Sequence, residues 1–398
     1  MSNLIGIIGL GYVGLPLAIE AAKSGFHVIG IDNDLKKIEY IKNGNSGIEG
    51  IDENELSSLI SSRKIDVTSE YSTLNDIEII IVCVPTPLNK KHEPDLGYVI
   101  DAATKLSLYV KRSTLIIFES TVSPGTTRDI LAPLIQEKSK ISSEELLLAF
   151  SPERIDPANL TWNVKNTPKL VAGINEAAAR TAAEFYSKFI DEVVICDSLE
   201  IAETAKLLEN SFRLLNIAFI NELSNFCSQQ GIDVLKVIAA ASTKPYGFMP
   251  FYPGLGAGGH CIPVDPVYLT TRASEVHAPM KLLELAQKVN SDTPVSYINR
   301  LEAKVGKIKN KKILIVGIAY KANVADVRES PALTLIDELR AKKAVVKWHD
   351  EFVQHWNGEN SVDLNTNYDF AILATLHNGV DLSKLNGIEV YDSRSSLL

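Results

Sequence analysis

Cys261 follows directly on a glycine-rich run, Pro253-Gly254-Leu255-Gly256-Ala257-Gly258-Gly259-His260, and Asp265 stands four residues beyond it, flanked by Pro263 and Pro266. Glycines allow positive φ and close approach of backbone to a ligand, and the prolines stiffen the exit. A thiol offered on such a loop is a nucleophile for an electrophilic carbon, with the glycines as room for a ligand beside it and Asp265 as a nearby acid or base. The same residues would also make a tight surface loop around a small incidental cysteine. The rest of the chain has to separate the two.

From Leu199 to about Gly231 there is no interior Gly or Pro, and the apolar pattern predicts one long helix. Lys206, Asn210 and Arg213 fall at i, i+4 and i+7 on it, which aligns them on one face over two turns. They form a cationic, hydrogen-bonding row. Phe212, Leu215 and Phe219 share another face, expected to be the core side. A helix of this length between two fold units reads as a linker and a dimerisation element. Upstream, the apolar run 146–150 leads into Ser151-Pro152-Glu153-Arg154-Ile155-Asp156-Pro157. Glu153 and Arg154 at a strand end would orient water and bind an anion, or form a surface turn with a solvated ion pair.

These groups need a scaffold, and the chain begins with one. Residues 4–8 are apolar, Gly9-Leu10-Gly11-Tyr12-Val13-Gly14 follows, a helical stretch runs to Gly25, and Val28 to Ile31 ends in Asp32. This is G-x-G-x-x-G between strand and helix with an acid about 20 residues on. The glycines suit a pyrophosphate at a helix N-terminus, and Asp32 would accept from ribose hydroxyls and repel a 2′-phosphate, which favours NAD over NADP. Apolar runs recur at 77–84 and 114–118, each ending in a polar cluster, 85–87 and 119–127. Open α/β sheets take ligands at such carboxyl ends. The cofactor set is therefore Gly9, Gly11, Tyr12, Val13, Gly14, Asp32, Lys37, Pro85, Thr86, Ser120 and Thr121. Thr126 and Thr127 are expected as helix caps.

Residues 312–320 repeat residues 4–12 in worn form, with Ala319 at the second fingerprint glycine and Ala322 at the third. A Cβ at the second position obstructs a pyrophosphate, so the copy keeps the strand and turn without the dinucleotide. Val345 to His349 ending in Asp350 matches the stretch ending in Asp32, and 370–375 echoes 79–86. The copy's loop is longer, and it carries Lys321, Asn323, Asp326, Arg328, Glu329 and Ser330, which suits a different anionic nucleotide. The expected fold is α/β, with two Rossmann-like parallel-sheet domains joined by a long central helix and a helical middle domain. The expected boundaries are 1–196 for NAD binding, 197–300 for the central helical and dimerisation part with the catalytic Lys and Cys, and 301–398 for the second nucleotide.

Composition narrows the class. The 398 residues are 45% hydrophobic and 22% charged, as in an ordinary globular protein. A formal net charge of −9 argues against nucleic acid as a partner. The four cysteines are scattered without metal-site spacing, so no metal is expected. No apolar run spans a bilayer, and Met1-Ser2-Asn3 lacks a leader pattern. A cytoplasmic location with reduced thiols is the expectation.

Taken together, the motifs resemble the UDP-glucose/GDP-mannose dehydrogenase family, over essentially the whole chain and in the same order. The matching stretches are G-L-G-Y-V-G at 9–14, E-S-T-V-S-P-G-T-T at 119–127, S-P-E-R at 151–154, K-L-L-E-N-S-F-R at 206–213, G-G-H-C-I-P-V-D-P at 258–266, G-I-A-Y-K at 317–321 and R-E-S-P at 328–331. The resemblance implies oxidation of the 6-hydroxymethyl of a UDP-sugar to a carboxylate, with two NAD and one cysteine. Cys261 would carry a thiohemiacetal and then a thioester. Lys206 and Asn210 would stabilise the oxyanion, with Lys206 favouring the thiolate. Asp265 and Glu153 would be the acid/base groups for water, which Thr121 positions. Substrate contacts would come from Glu153, Arg154, Lys206, Asn210, Arg213, Gly258, His260, Lys321 and Arg328, with Arg213 and His260 on the sugar substituent or an adjoining phosphate.

His260 before the cysteine and Ile-Pro-Val-Asp-Pro after it look like the N-acetylhexosamine branch, because the UDP-glucose branch typically has Ser and a Lys at the corresponding places. Ser151–Pro157 resembles the UDP-N-acetylglucosamine 6-dehydrogenases more than the UDP-N-acetylmannosamine enzymes; UDP-N-acetylmannosamine and UDP-glucose remain the alternatives. Such an enzyme would supply surface polysaccharide or glycan precursors as a homodimer or higher oligomer. One departure is the compact C-terminal part, short after Asp392, which leaves the last nucleotide contacts unassigned. A β-hydroxyacid dehydrogenase would need neither Cys261 nor a second α/β unit. A non-catalytic NAD or nucleotide-sugar sensor would have no use for a nucleophile.

Overall fold

The computed structural model describes residues 3–48, 50–155, 159 and 161–395, so Asp156 and Pro157 of the Ser151–Pro157 motif lie outside it. The chain divides into two units: Met1–Leu208 with Val267–Arg272, and Glu209–Pro266 with Ala273–Leu398.

Strands β1 (Leu4–Ile8), β2 (His27–Ile31), β3 (Ile65–Thr68), β4 (Ile79–Val82), β5 (Leu115–Phe118), β6 (Leu147–Phe150), β7 (Lys169–Gly173) and β8 (Val193–Ile195) form the sheet of the first unit. Their order is β3-β2-β1-β4-β5-β6-β7-β8, parallel except where β6 meets β7. Successive side chains of a strand point to opposite faces. Ile5, Ile7, Ile79 and Ile81 accordingly enter one core, with Leu15, Phe26 and Phe185. Ile8, Ile80 and Val82 enter the other, with Leu106, Phe118 and Leu148. Two covered faces explain why β4 and β5 are unbroken apolar runs instead of alternating ones. Helices α1 (Gly14–Lys23), α2 (Leu35–Lys42), α3 (Glu53–Ser61), α4 (Gly97–Leu106), α5 (Ala132–Ser139) and α6 (Glu176–Tyr186) complete the unit. Strand order reverses between β1 and β4, and that switch point opens the crevice at the carboxyl ends.

Helix α7 (Leu199–Gln230) leads from the first unit into the second, followed by α8 (Val234–Ala241), α9 (Asp265–Glu275), α10 (Lys281–Val305) and α11 (Pro331–Ala341). The second unit's strands are β9 (Lys312–Val316), β10 (Val345–His349), the short hairpin β11 (His355–Trp356) and β12 (Glu359–Asn360), then β13 (Phe370–Leu373) and β14 (Glu389–Asp392). The sheet order is β10-β9-β13-β14, all parallel. Ile313–Val316 pair with Phe370–Leu373 as Ile5–Ile8 pair with Ile79–Val82, so the worn copy extends to strand register.

One expectation changes here. The buried side of α7 is made by Ala202, Leu207, Leu214, Ala218 and Cys227, not by the Phe212 face. Phe212 and Phe219 are 43% and 64% exposed, and Leu208 and Phe226 add 61% and 58% to the same outward stripe. The helix is apolar on two sides, and periodicity alone does not say which side is covered; small polar residues, Ser211 and Ser224, go inward instead. Strands β3, β7, β8 and β14 do not stand out as apolar runs, because Asp66, Lys169 and Glu389 interrupt or open β3, β7 and β14, and β8 is only three residues long.

Candidate active site

In the first unit the fingerprint glycines divide their work. A Cβ on Gly9, at φ +93°, would stand 2.7 Å from the Cys83 carbonyl oxygen, and one on Gly14 would stand 1.9 Å from that of Gly9. A Cβ on Gly11 would meet nothing within 4 Å. Gly9 and Gly14 are therefore needed by the protein's own packing, while Gly11 keeps an open side at the start of α1. Asp32 closes β2. Its Oδ2 accepts from Leu10 N–H at 2.9 Å and from Lys37 Nζ at 2.9 Å, and its Oδ1 from Asp34 N–H at 3.0 Å. Burial pushes this carboxyl up, but the bonds from Asp34, Lys37 and Leu10 outweigh it and hold Asp32 below its ordinary value. An open glycine, a helix N-terminus and an ionised acid fit NAD. Asp32→Ala is expected to raise the NAD dissociation constant by about tenfold or more, the worth of a charged hydrogen bond; an unchanged affinity by calorimetry would take Asp32 off the ribose.

The two polar clusters are tied by a residue the sequence did not flag. Tyr268 of α9 is buried, and its hydroxyl donates to the carbonyls of Thr86 at 3.1 Å and Pro87 at 3.4 Å. Its own carbonyl accepts from Ser123 Oγ at 3.1 Å. Ser120 Oγ donates to the Val84 carbonyl at 2.7 Å. Thr121 is half-buried and Pro85 exposed. The capping expected of Thr126 and Thr127 is done by another residue: Thr126 makes no side-chain cap, and buried Glu203 of α7 accepts from Gly125 N–H at 2.6 Å and Thr127 N–H at 2.9 Å. Burial lifts the Glu203 carboxyl to about 7 against those bonds.

Behind these loops lies a buried set of charges. Glu153 is raised above its ordinary value by burial; the positive charge of Lys206 is the strongest influence opposing that, ahead of the Ile155 N–H and Lys169. Lys169 Nζ lies 2.8 Å from the Glu119 carboxylate, which also accepts from the Tyr186 hydroxyl. Arg154 Nη1 donates to the Pro168 carbonyl at 3.0 Å. Glu153 and Lys206 thus share one low-dielectric neighbourhood. Lys169 and Tyr186 went unnoticed in the sequence, because each reads as an ordinary strand or helix residue.

In the second unit the Cys261 carbonyl accepts from Val264 N–H at 3.2 Å and Asp265 N–H at 2.8 Å, which puts Cys261 one turn ahead of α9. Asn210 Nδ2 donates to Asp265 Oδ2 at 2.7 Å, and Asp265 is buried. Of the row on α7, Lys206 is buried, Asn210 half-buried and Arg213 exposed.

Three of the loop glycines, Gly256, Gly258 and Gly259, are also required by the protein's own packing, while a Cβ on Gly254 would meet nothing within 4 Å. Asn221 Oδ1 accepts from Gly254 N–H at 2.9 Å, and a Cβ on Gly256 would stand 2.6 Å from the Asn290 carbonyl oxygen. A Cβ on Gly258 would lie 2.9 Å from Tyr320 Cβ and Pro331 Cδ, and one on Gly259 would lie 2.7 Å from the Tyr320 ring. Side chains are absent there because the second sheet's long loop occupies the space. Lys321 and His260 are half-buried. Arg328 forks onto Asp326, with Nε at 2.9 and 3.0 Å and Nη2 at 2.5 Å from the carboxylate.

Family models match the chain in three consecutive pieces: the NAD binding domain of the UDP-glucose/GDP-mannose dehydrogenase family over residues 3–190, its central domain over 200–292 and its UDP binding domain over 314–392. The chain belongs to the UDP-glucose/GDP-mannose dehydrogenase family.

As a member it is an NAD-dependent UDP-sugar dehydrogenase. A UDP-N-acetyl-D-mannosamine dehydrogenase of Pyrococcus horikoshii is 34% identical over 88% of this chain and 84% of its own. A UDP-N-acetyl-D-glucosamine 6-dehydrogenase of Salmonella typhi is also 34% identical, over 88% of this chain and 82% of its own. The solved structure of a UDP-glucose dehydrogenase from Pyrobaculum islandicum superposes with a TM-score of 0.89 at 25% identity, covering 99% of this chain and 94% of that one. The fold is thus shared by dehydrogenases named for different UDP-sugars. The NAD piece contains the Gly9–Gly14 turn and Asp32, and the UDP piece contains Lys321 and Arg328. Among the described residues no helix is long and apolar enough to cross a membrane.

Proposed function

We propose that this dehydrogenase oxidises the 6-hydroxymethyl of a UDP-N-acetylhexosamine, UDP-N-acetylglucosamine first, to the uronic acid through a thioester on Cys261. The observation that carries this reading is the pairing of Asn210 with Asp265 one turn after the cysteine, because it supplies a fixed donor and a buried carboxylate beside the nucleophile's loop. Bound NAD supplies the hydride acceptor for each of the two oxidations, held by Gly9, Gly11, Tyr12, Val13, Gly14, Asp32, Lys37, Pro85, Thr86, Ser120 and Thr121.

The chain's own residues do the rest. A base removes the proton of the 6-hydroxyl as the carbon is oxidised to an aldehyde. The Cys261 thiolate adds to that carbon, and Lys206 and Asn210 stabilise the negative charge left on its oxygen. Loss of hydride from the adduct leaves a thioester, so no aldehyde leaves the protein. Water, positioned by Thr121 and deprotonated by Glu153 or Asp265, displaces the sulfur and returns the thiol. Arg154, Arg213, Gly258, His260, Lys321 and Arg328 hold the sugar and the UDP. The division 1–196, 197–300 and 301–398 follows these tasks.

His260 and the Ile262–Pro266 sequence favour an N-acetylhexosamine, and the relatives' names divide between two such sugars. An NADH-absorbance panel of UDP-N-acetylglucosamine, UDP-N-acetylmannosamine and UDP-glucose tests the assignment. The expected result is two NADH per UDP-N-acetylglucosamine with the highest kcat/KM; one NADH per sugar would remove the thioester route, and a preference for another sugar would reassign the substrate. The product suits surface polysaccharide or glycan precursor synthesis. The exposed stripe Leu208, Phe212, Phe219 and Phe226 supports a homodimer or higher homo-oligomer, which a single-chain sedimentation mass would overturn.

A further inference from the structure

The second sheet carries an acid where the first carries Asp32, but its bonding is turned inward. Asp350 Oδ2 accepts from Ile318 N–H at 2.7 Å, Ala319 N–H at 3.1 Å and His377 Nε2 at 3.0 Å. Its Oδ1 accepts from Phe352 N–H and Val353 N–H, both at 2.9 Å. A carboxylate offers about four lone-pair sites, and five donors fill them. At 1% exposure Asp350 has no capacity left for a ligand.

His377 is enclosed as completely, with the Phe352 ring centroid 4.8 Å from its own. Its Nδ1 lies 2.8 Å from the backbone nitrogen of Asn323. A backbone N–H can only donate, so Nδ1 is the acceptor and Nε2 carries the proton given to Asp350. Asn323 itself sits at φ +63°, and its Oδ1 accepts from Asn378 N–H at 2.7 Å. The loop from Gly317 to Ser330 is thereby clamped at its middle, two residues beyond Lys321. The same loop is the wall for the thiol's loop. Tyr320 fills the space that Gly258 and Gly259 leave, and Gly259 N–H donates to the Arg328 carbonyl at 3.2 Å. Tyr320 N–H in turn donates to the Asp326 carbonyl at 3.0 Å.

We propose that His377 is a positioning residue: with Asp350 and Asn323 it holds the 317–330 loop in one conformation, and that loop places both Lys321 for the nucleotide and the Gly258–Cys261 segment for the thiol. Recognition of UDP and presentation of the nucleophile then depend on one mechanical piece. The proposal rests on the reading that UDP contacts this loop and that Cys261 reacts.

Three variants separate the bonds. His377→Gln keeps a donor able to reach Asp350 and loses the acceptor for Asn323; His377→Asn keeps an acceptor near Nδ1 and loses the reach to Asp350. Asn323→Gly leaves the buried pair intact, tolerates positive φ and loses only the bond to Asn378. The full-length protein is tested for UDP and NAD affinity by calorimetry and for Cys261 alkylation by iodoacetamide with and without UDP. Both His377 variants are expected to weaken UDP binding about tenfold, a change of about 1.4 kcal/mol, while NAD affinity stays within about twofold. UDP is expected to change the alkylation rate in the wild type and to lose that effect in the variants, with Asn323→Gly intermediate. Wild-type UDP affinity and alkylation in all three variants would overturn the positioning role alone. Parallel loss of NAD and UDP affinity would make His377 merely structural and also overturn it. A wild-type protein that binds NAD but not UDP would overturn the nucleotide reading first.

Discussion

Cys261→Ser is expected to abolish oxidation to the acid, lowering turnover by about three orders of magnitude or more, as removal of a covalent nucleophile does. A serine hydroxyl is far less acidic than a thiol, so it adds to an aldehyde only with help from a base, and any ester formed would release its alkoxide slowly. The substitution keeps the backbone turn that follows the cysteine. It is the Cys261 carbonyl, not the sulfur, that accepts from Val264 and Asp265 and starts the turn into α9. UDP and NAD affinities should therefore remain within about twofold, since a change under about 0.5 kcal/mol is usual away from lost contacts. Two measurements decide it. NADH counting should drop from two per sugar to one or none, and intact-mass analysis of quenched wild-type turnover should show a sugar adduct that the variant lacks. Steady-state production of uronic acid by the serine variant would end the thioester mechanism.

What could be read beforehand follows from how local each constraint is. The G-x-G-x-x-G turn was legible because Gly9, Gly11 and Gly14 answer to backbone geometry within six residues, and Asp32 follows at the end of the next strand. Ala319 stands where a glycine would be needed for a pyrophosphate, so the same turn predicts no dinucleotide in the copy, and the five donors on Asp350 are in keeping with that expectation. Cys261, Lys206, Asn210 and Asp265 stood out by type and spacing. The long-range contacts within each unit did not. Tyr268 reaches Thr86 across 182 residues, Glu203 reaches Gly125 across 78, and His377 reaches Asp350 across 27; none of these pairs has a sequence spacing that marks it. The loop glycines show the same limit. Their number was visible, but that Gly258 and Gly259 yield to Tyr320 requires knowing that the second sheet's loop passes there. On α7 the apolar stripe at Phe212 was correctly seen and wrongly placed, since an apolar face is equally a core side or a surface for another chain.

Lys206→Met should lower kcat by about two to three orders of magnitude, the loss seen when one oxyanion donor is removed, and should also move the pH profile. Lys206 is buried and is the strongest influence holding the Glu153 carboxyl down against burial. Methionine keeps the length and removes the charge, which leaves only the Ile155 N–H and the more weakly acting Lys169 to oppose desolvation. Glu153 must then stay protonated to higher pH. If its carboxylate activates water, the acidic limb of kcat shifts upward in pH in the variant. Stability gives an independent reading. A carboxyl raised above its ordinary value of 4.5 contributes stability that is complete below that value and is lost as pH rises through the folded value. Raising it further in the variant deepens that loss, so the melting midpoint of Lys206→Met should fall behind the wild type more at pH 8 than at pH 5. A variant profile that superimposes on the wild type after scaling would detach Lys206 from Glu153. The lysine would then act on the oxyanion alone, and Asp265, held by Asn210 beside the cysteine's turn, would be the base that remains.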